Sequence, residues 1–244
     1  MEAASLRARE GSVKLLLLPG MDGTGLLFEP FLEALPVWLK PQVVASPAHE
    51  PLGYAELLSV VRSACPLLEE FVVLAESFSG PLAILLAASQ PPGLRGAILC
   101  ASFIRCPLRT PFRWLAAAAL PIMFRLAPLW PARWALLGRH ETVRLRQSFA
   151  TALASVSSEA LAARARAVAS VDVTVELRMC QVPLLYLAGR QDRVVPVRCL
   201  RAIQQERPDT QVVELPGPHL LLPTLPAQAA HEVGQFIERI QPNL

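Results

Sequence analysis

The sequence predicts an α/β fold, with a mostly parallel sheet flanked by helices, and three observations predict it. Short apolar runs of strand length recur at Val13–Leu18, Phe71–Ala75, Gly96–Ala101 and Val182–Gly189. Segments of helical spacing separate them, which is the alternation of a parallel sheet with crossover helices. One stretch, 103–171, breaks the pattern. Its strand signals vanish, and Ala-, Leu- and Trp-rich helical segments punctuated by Pro107, Pro111, Pro121, Pro128 and Pro131 replace them. The expected organisation is therefore a core domain, 1–102 and 172–244, with an inserted helical cap, 103–171.

Taken in order, Val13–Leu18 is a buried strand that runs into the glycine-rich loop Pro19-Gly20-Met21-Asp22-Gly23-Thr24-Gly25. Phe28 to Leu39 is expected as a short helix and Gln42–Ala45 as a second strand. Tyr54 to Leu68 carries Leu57, Leu58, Val61 and Ala64 at helical spacing. The Phe71 strand then turns abruptly at Ser77 into a helix that Pro91-Pro92 closes. After Gly96–Ala101 and the cap come the strand Val182–Gly189, the helix Val197–Glu206, the strand Gln211–Leu215 and a last helix, Ala227–Ile240.

Composition narrows the function. The chain has 244 residues, 53% hydrophobic and 18% charged, enough for one large folded domain with an apolar core or cleft. A net charge of +3, without zinc spacing, a P-loop or an aromatic-interleaved basic patch, removes nucleic acid and nucleotides as expected ligands. Five scattered cysteines without C-x-x-C spacing read as reduced, buried thiols rather than a disulfide framework. The N-terminus lacks the apolar core of a secretory signal, so a cytoplasmic protein is expected. Trp114 through Leu137 is apolar, but three prolines, Arg125 and Arg133 interrupt it, so no transmembrane helix is expected.

Chemistry concentrates at strand ends. Ser77 lies where a strand becomes a helix, so its hydroxyl projects from the sheet above the free N–H groups of the helix N-terminus. Ala75 and Ser79 stand where a nucleophile elbow, G-x-S-x-G, has glycines. Glycines in the loop after the first strand let backbone approach a substrate, so the Met21 N–H is an expected oxyanion donor. Asp22 in that loop reads first as a turn-capping carboxylate. Asp192 follows a buried strand in Gly189-Arg190-Gln191-Asp192, and His219 follows the next one in Pro216-Gly217-Pro218-His219-Leu220. Glu76 reads as structural, placed to tune the elbow helix.

The cap holds its own charge signal. Between Phe103 and Ala150 there are eight arginines and one acid, Glu141. That excess suits either solvated helices or a docking surface for an anionic partner, such as a carrier protein, a phospholipid surface or an acidic substrate.

These motifs resemble the α/β-hydrolase superfamily over nearly the whole chain, Val13 to Ile240, and in particular small bacterial serine esterases with a helical cap. The resemblance rests on Pro19–Gly25, on Glu76-Ser77-Phe78-Ser79-Gly80, and on Gly189-x-x-Asp192-x-x-Val195-Pro196 with Gly217-x-His219. It departs from the family in Pro19, where His is usual, and in the two elbow glycines. The chain order Ser…Asp…His is that family's. The resemblance implies an α/β-hydrolase fold and a catalytic triad of Ser77, Asp192 and His219. The N–H groups of Met21 and Phe78 would form the oxyanion hole, with no cofactor and no metal. It implies a serine carboxylesterase acting on apolar acyl esters. An acyl thioesterase or methyl esterase for chains borne on an acyl carrier protein is the alternative, and a ligand-binding protein on a hydrolase fold is the non-enzymatic one. Gly20, Asp22, Trp114, Phe124, Trp130, Trp134 and Leu220 form the expected substrate-binding set.

Overall fold

A computed structural model describes residues 13–241. Six strands form one sheet: β1 (Val13–Leu18), β2 (Leu39–Val43), β3 (Phe71–Glu76), β4 (Leu94–Cys100), β5 (Leu184–Gly189) and β6 (Gln211–Leu215). All neighbours pair in parallel, in the order β2-β1-β3-β4-β5-β6. The order reverses beside β1, so the loops after β1 and β3 leave the same end of the sheet side by side. Ligands of open α/β sheets bind at such a reversal.

Strand alternation builds two cores. Leu16, Leu18, Val73, Ala75, Leu99 and Tyr186 face helices α2 (Tyr54–Ala64), α3 (Gly80–Ala88), α9 (Thr174–Met179) and α10 (Val197–Glu206). Leu15, Leu17, Val72, Leu74, Ile98 and Leu187 face α1 (Glu29–Ala34), α11 (Leu221–Thr224) and α12 (Pro226–Ile240). With both faces covered, the central strands read as unbroken apolar runs.

Between β4 and α9 lie α4 (Thr110–Ala117), α5 (Pro121–Leu126), α6 (Leu129–Leu137), α7 (Val143–Ala154) and α8 (Ser158–Ser170). The two ends of this helical segment meet. The Val173 N–H donates to the Ile104 carbonyl at 2.9 Å and the Cys106 N–H to the Val171 carbonyl at 3.3 Å. Among the described residues no helix is long and apolar enough to cross a membrane. All five cysteines are free thiols.

Several boundaries differ from the sequence expectation: the helix expected from Phe28 to Leu39 is only Glu29–Ala34, and Leu39 already belongs to β2. The second strand is Leu39–Val43 rather than Gln42–Ala45. It runs through Pro41, which an edge strand tolerates because one side of its backbone has no partner to lose. The helix from Tyr54 stops at Ala64, and Leu67 and Leu68 are fully exposed. The N-terminal stretch expected to lack a secretory-signal core lies outside the described residues.

Candidate active site

Ser77 begins a single 3-10 turn, Ser77–Ser79, between β3 and α3, and its φ is +50°. A non-glycine residue held in the left-handed region costs about 1–3 kcal/mol and persists where surrounding contacts enforce it. Those contacts are plain here. The Ser102 hydroxyl donates to the Ser77 carbonyl at 2.6 Å, and the Tyr54 hydroxyl donates to the Phe78 carbonyl at 2.9 Å. The Tyr54 ring also stacks on Phe78, with centroids 4.8 Å apart. Ser102 is itself locked by Tyr186, whose hydroxyl accepts from the Ser102 N–H at 3.0 Å and donates to its carbonyl at 2.7 Å. Gly80 must be glycine, because a Cβ there would lie 1.8 Å from the Ser102 hydroxyl oxygen.

The replaced elbow glycines have a physical account. Ala75 is fully buried in β3. The buried Ser79 hydroxyl donates to the Pro19 carbonyl at 2.5 Å, which ties the elbow to the loop after β1. A glycine could not make that link.

His219 and Asp192 converge on Ser77 from the ends of β6 and β5. His219 Nε2 lies 2.8 Å from Ser77 Oγ, and His219 Nδ1 lies 2.8 Å from Asp192 Oδ2. The other carboxylate oxygen, Asp192 Oδ1, accepts from the N–H groups of Val194 (2.7 Å) and Val195 (2.9 Å). Asp192 is thereby aimed by its own loop. The imidazole is almost completely buried. Close backbone approach sets the two loops together: the Gln191 N–H donates to the Gly217 carbonyl at 2.9 Å. A Cβ on Gly189 would lie 2.4 Å from the Pro218 carbonyl oxygen, so only glycine admits that approach.

The loop after β1 is clamped by a residue that sequence patterns do not reveal. Arg164, on α8, is buried and donates from Nη1 to the carbonyls of Met21 (2.9 Å) and Asp22 (2.7 Å), and from Nη2 to that of Pro47 (2.9 Å). Asp22 Oδ2 accepts from the Thr24 N–H (2.9 Å) and hydroxyl (2.5 Å), a turn-capping arrangement. Glu76 is buried beneath this loop, and its Oε1 has no hydrogen-bond partner. Burial, and then the nearby Asp22 carboxylate, push the Glu76 carboxyl up to about 8, so it holds its proton at neutral pH.

Above Ser77 and His219 lies a cavity of about 740 Å³, bounded by Gly20, Met21, Asp22 and Leu220 below and by α5–α8 above. Its walls are mainly apolar, from Leu27, Phe124, Leu129, Leu136, Phe149 and Leu153, with Arg125 and Glu159 also lining it. Of the aromatics expected there, Phe124 lines it and Trp114, Trp130 and Trp134 do not. The helices turn Leu129, Ala132 and Leu136 inward, leaving the indoles of Trp114 and Trp130 71% and 67% exposed. Trp134 instead lies under the Arg193 guanidinium, 4.0 Å from the ring centre. Phe149 and Leu153 escaped the sequence reading because one apolar helix face resembles another.

The arginine excess is partly spent within the fold. Arg133 and Arg146 reach Glu141 at 3.0 and 3.7 Å, Arg144 reaches Glu29 and Glu33 at 3.2 Å each, and Arg105 lies 3.9 Å from Glu206. Among the described residues no cluster of three or more His, Cys, Asp or Glu could hold a metal ion.

The sheet order, the covering helices and the strand-end loops are those of an α/β-hydrolase. Residues 54–217 match the family described as serine aminopeptidase, S33, and the chain belongs to that family, which places it among the hydrolases. No curated protein sequence matches it. Solved structures similar to it include a bromoperoxidase from Bacillus anthracis (TM-score 0.83, 15% identity, 93% of this chain and 92% of that one). A thermophilic esterase from Thermogutta terrifontis is similar at TM-score 0.78 and 19% identity, covering 94% of this chain and 91% of that one. An enol-lactonase from Burkholderia xenovorans is similar at TM-score 0.75 and 16% identity, covering 93% and 92%.

Proposed function

We propose that this hydrolase is a serine carboxylesterase that cleaves esters of apolar acyl groups through an acyl-enzyme. The observation that carries the reading is the unbroken relay Ser77–His219–Asp192, with 2.8 Å at each step, opening into a mainly apolar cavity. Ser77 Oγ attacks the acyl carbonyl while His219 Nε2 takes its proton; Asp192 holds the tautomer and stabilises the imidazolium. The developing oxyanion is received by the N–H groups of Phe78 and Met21, and one such donor is worth roughly 2.7–4 kcal/mol. His219 returns the proton to the leaving alcohol. It then activates a water that releases the acid and restores Ser77.

The test is turnover of p-nitrophenyl esters of increasing acyl length, with thioesters alongside, against a Ser77→Ala blank. Ser77-dependent turnover that favours apolar acyl groups over acetyl is expected. A protein that binds esters but shows no Ser77-dependent release would be the ligand-binding alternative.

A further inference from the structure

Helices α4, α5 and α6 are built unlike the rest of the molecule. Neither α4 nor α5 buries a single residue, and α6 buries Leu137 alone. What they expose is large and apolar: Phe112, Trp114 and Leu115 on α4, Ile122 and Leu126 on α5, and Trp130 on α6. Both α4 and α5 rest on α8, so their exposed side chains stand on the outer side of one support, and α6, which follows α5 after Ala127-Pro128, packs on α7 beside it. Single exposed apolar residues need no explanation, but a run of this kind over three successive helices marks an interaction surface, for a partner protein or a membrane.

Charge favours the membrane. Between residues 109 and 139 there are five arginines, Arg109, Arg113, Arg125, Arg133 and Arg139, and no acid. Arg133 is drawn to Glu141, Arg113 donates from Nε to the Ala169 carbonyl at 2.8 Å, and Arg125 lies in the field of Glu159. Their net positive sign remains. Indoles and aliphatics interleaved with arginines, in short helices that cannot span a bilayer, are the composition of a surface lying in the headgroup region of an anionic membrane.

We propose that α4–α6 dock the protein on an anionic phospholipid bilayer, with Trp114, Leu126 and Trp130 entering the interface and arginines meeting lipid phosphates. Docking requires no chemistry from Ser77. Its consequence for substrate choice does rest on the esterase reading. Phe124, Pro128 and Leu129, on the inner side of the same stretch, line the cavity, so an acyl chain drawn from the bilayer meets the catalytic serine beneath the docked face.

The experiment is co-sedimentation of the Ser77→Ala protein with vesicles of phosphatidylcholine alone, or with about one-third phosphatidylglycerol. Binding to the anionic vesicles, a blue shift in tryptophan emission and release by high salt are expected. The combined Trp114→Ala, Leu126→Ser, Trp130→Ala variant, its fold checked by circular dichroism, should lose about tenfold in partitioning. In the Ser77 background the same three changes should spare a short soluble ester and slow hydrolysis of a vesicle-borne one. No vesicle binding, or equal binding by the triple variant, overturns the proposal. So does a dimer in sedimentation velocity that the triple variant dissolves while vesicles go unbound. Loss of soluble-ester turnover in the parent protein would instead sink the esterase reading and leave docking standing.

Discussion

The Ser102 hydroxyl holds the Ser77 carbonyl at 2.6 Å, and that carbonyl belongs to the peptide whose N–H is Phe78's. A peptide is planar, so fixing the oxygen fixes the direction of the N–H on its far side. On the proposed esterase reading, Ser102 is a positioning residue for the Phe78 N–H that receives the oxyanion.

Ser102→Ala should therefore lower kcat by roughly 10- to 100-fold, a fraction of what loss of an entire donor costs, and leave KM nearly unchanged. Steady-state kinetics on one soluble ester decide it. A rise in KM at constant kcat would assign Ser102 to ground-state binding.

Asp192→Asn keeps an oxygen for the Val194 and Val195 N–H groups and turns an amide toward His219 Nδ1. The imidazole is then held in the wrong tautomer, and a fall in kcat on the order of 10⁴ is expected by analogy with serine proteases. Thermal unfolding should change little, which separates this loss from misfolding.

Glu76 sets a pH dependence of stability. The folded state keeps its proton up to about pH 8, whereas an unperturbed glutamate releases it near 4.5. Between those values the native state binds more protons than the unfolded chain, so stability declines as pH rises and levels off above about 8. Glu76→Gln removes the slope. The variant should match the parent near pH 5 and exceed it at pH 9 by on the order of a few kcal/mol. Denaturant melts at the two pH values check this; an equal difference at both would refute it.

Arg164→Met leaves the carbonyls of Met21, Asp22 and Pro47 without their donor. A loss of about 2–5 kcal/mol in unfolding free energy is expected, together with a fall in kcat as the loop after β1 loosens. Arg164→Lys supplies one ammonium where two nitrogens span three carbonyls, so it should lie between the two in thermal midpoint.

The sheet was legible because burial on both faces leaves strands with a single unmistakable composition, as in Val72–Ala75 and Leu184–Leu187. Ser77 and Asp192 stood out because each lies just past the end of such a strand, and His219 because it lies just past the edge strand β6, where side chains escape the sheet. Ser102 occupies an equivalent place after β4, and that position was the one available clue to it. Arg164 gave none. It lies in the alanine-rich run Ala162-Ala163-Arg164-Ala165-Arg166, and only tertiary packing decides that its guanidinium turns inward. The inward and outward sides of α4–α6 were equally hidden, because leucine and tryptophan look alike in a window that is apolar all round.

The paired ends of the helical segment, Ile104 with Val173 and Cys106 with Val171, have a consequence for how such a molecule can change. A stretch whose two ends are stitched together can be exchanged as a cassette, since the chain enters and leaves it at neighbouring residues. Any replacement for this one, however, must bring its own strut in place of Arg164, or the loop beside Ser77 stands unsupported.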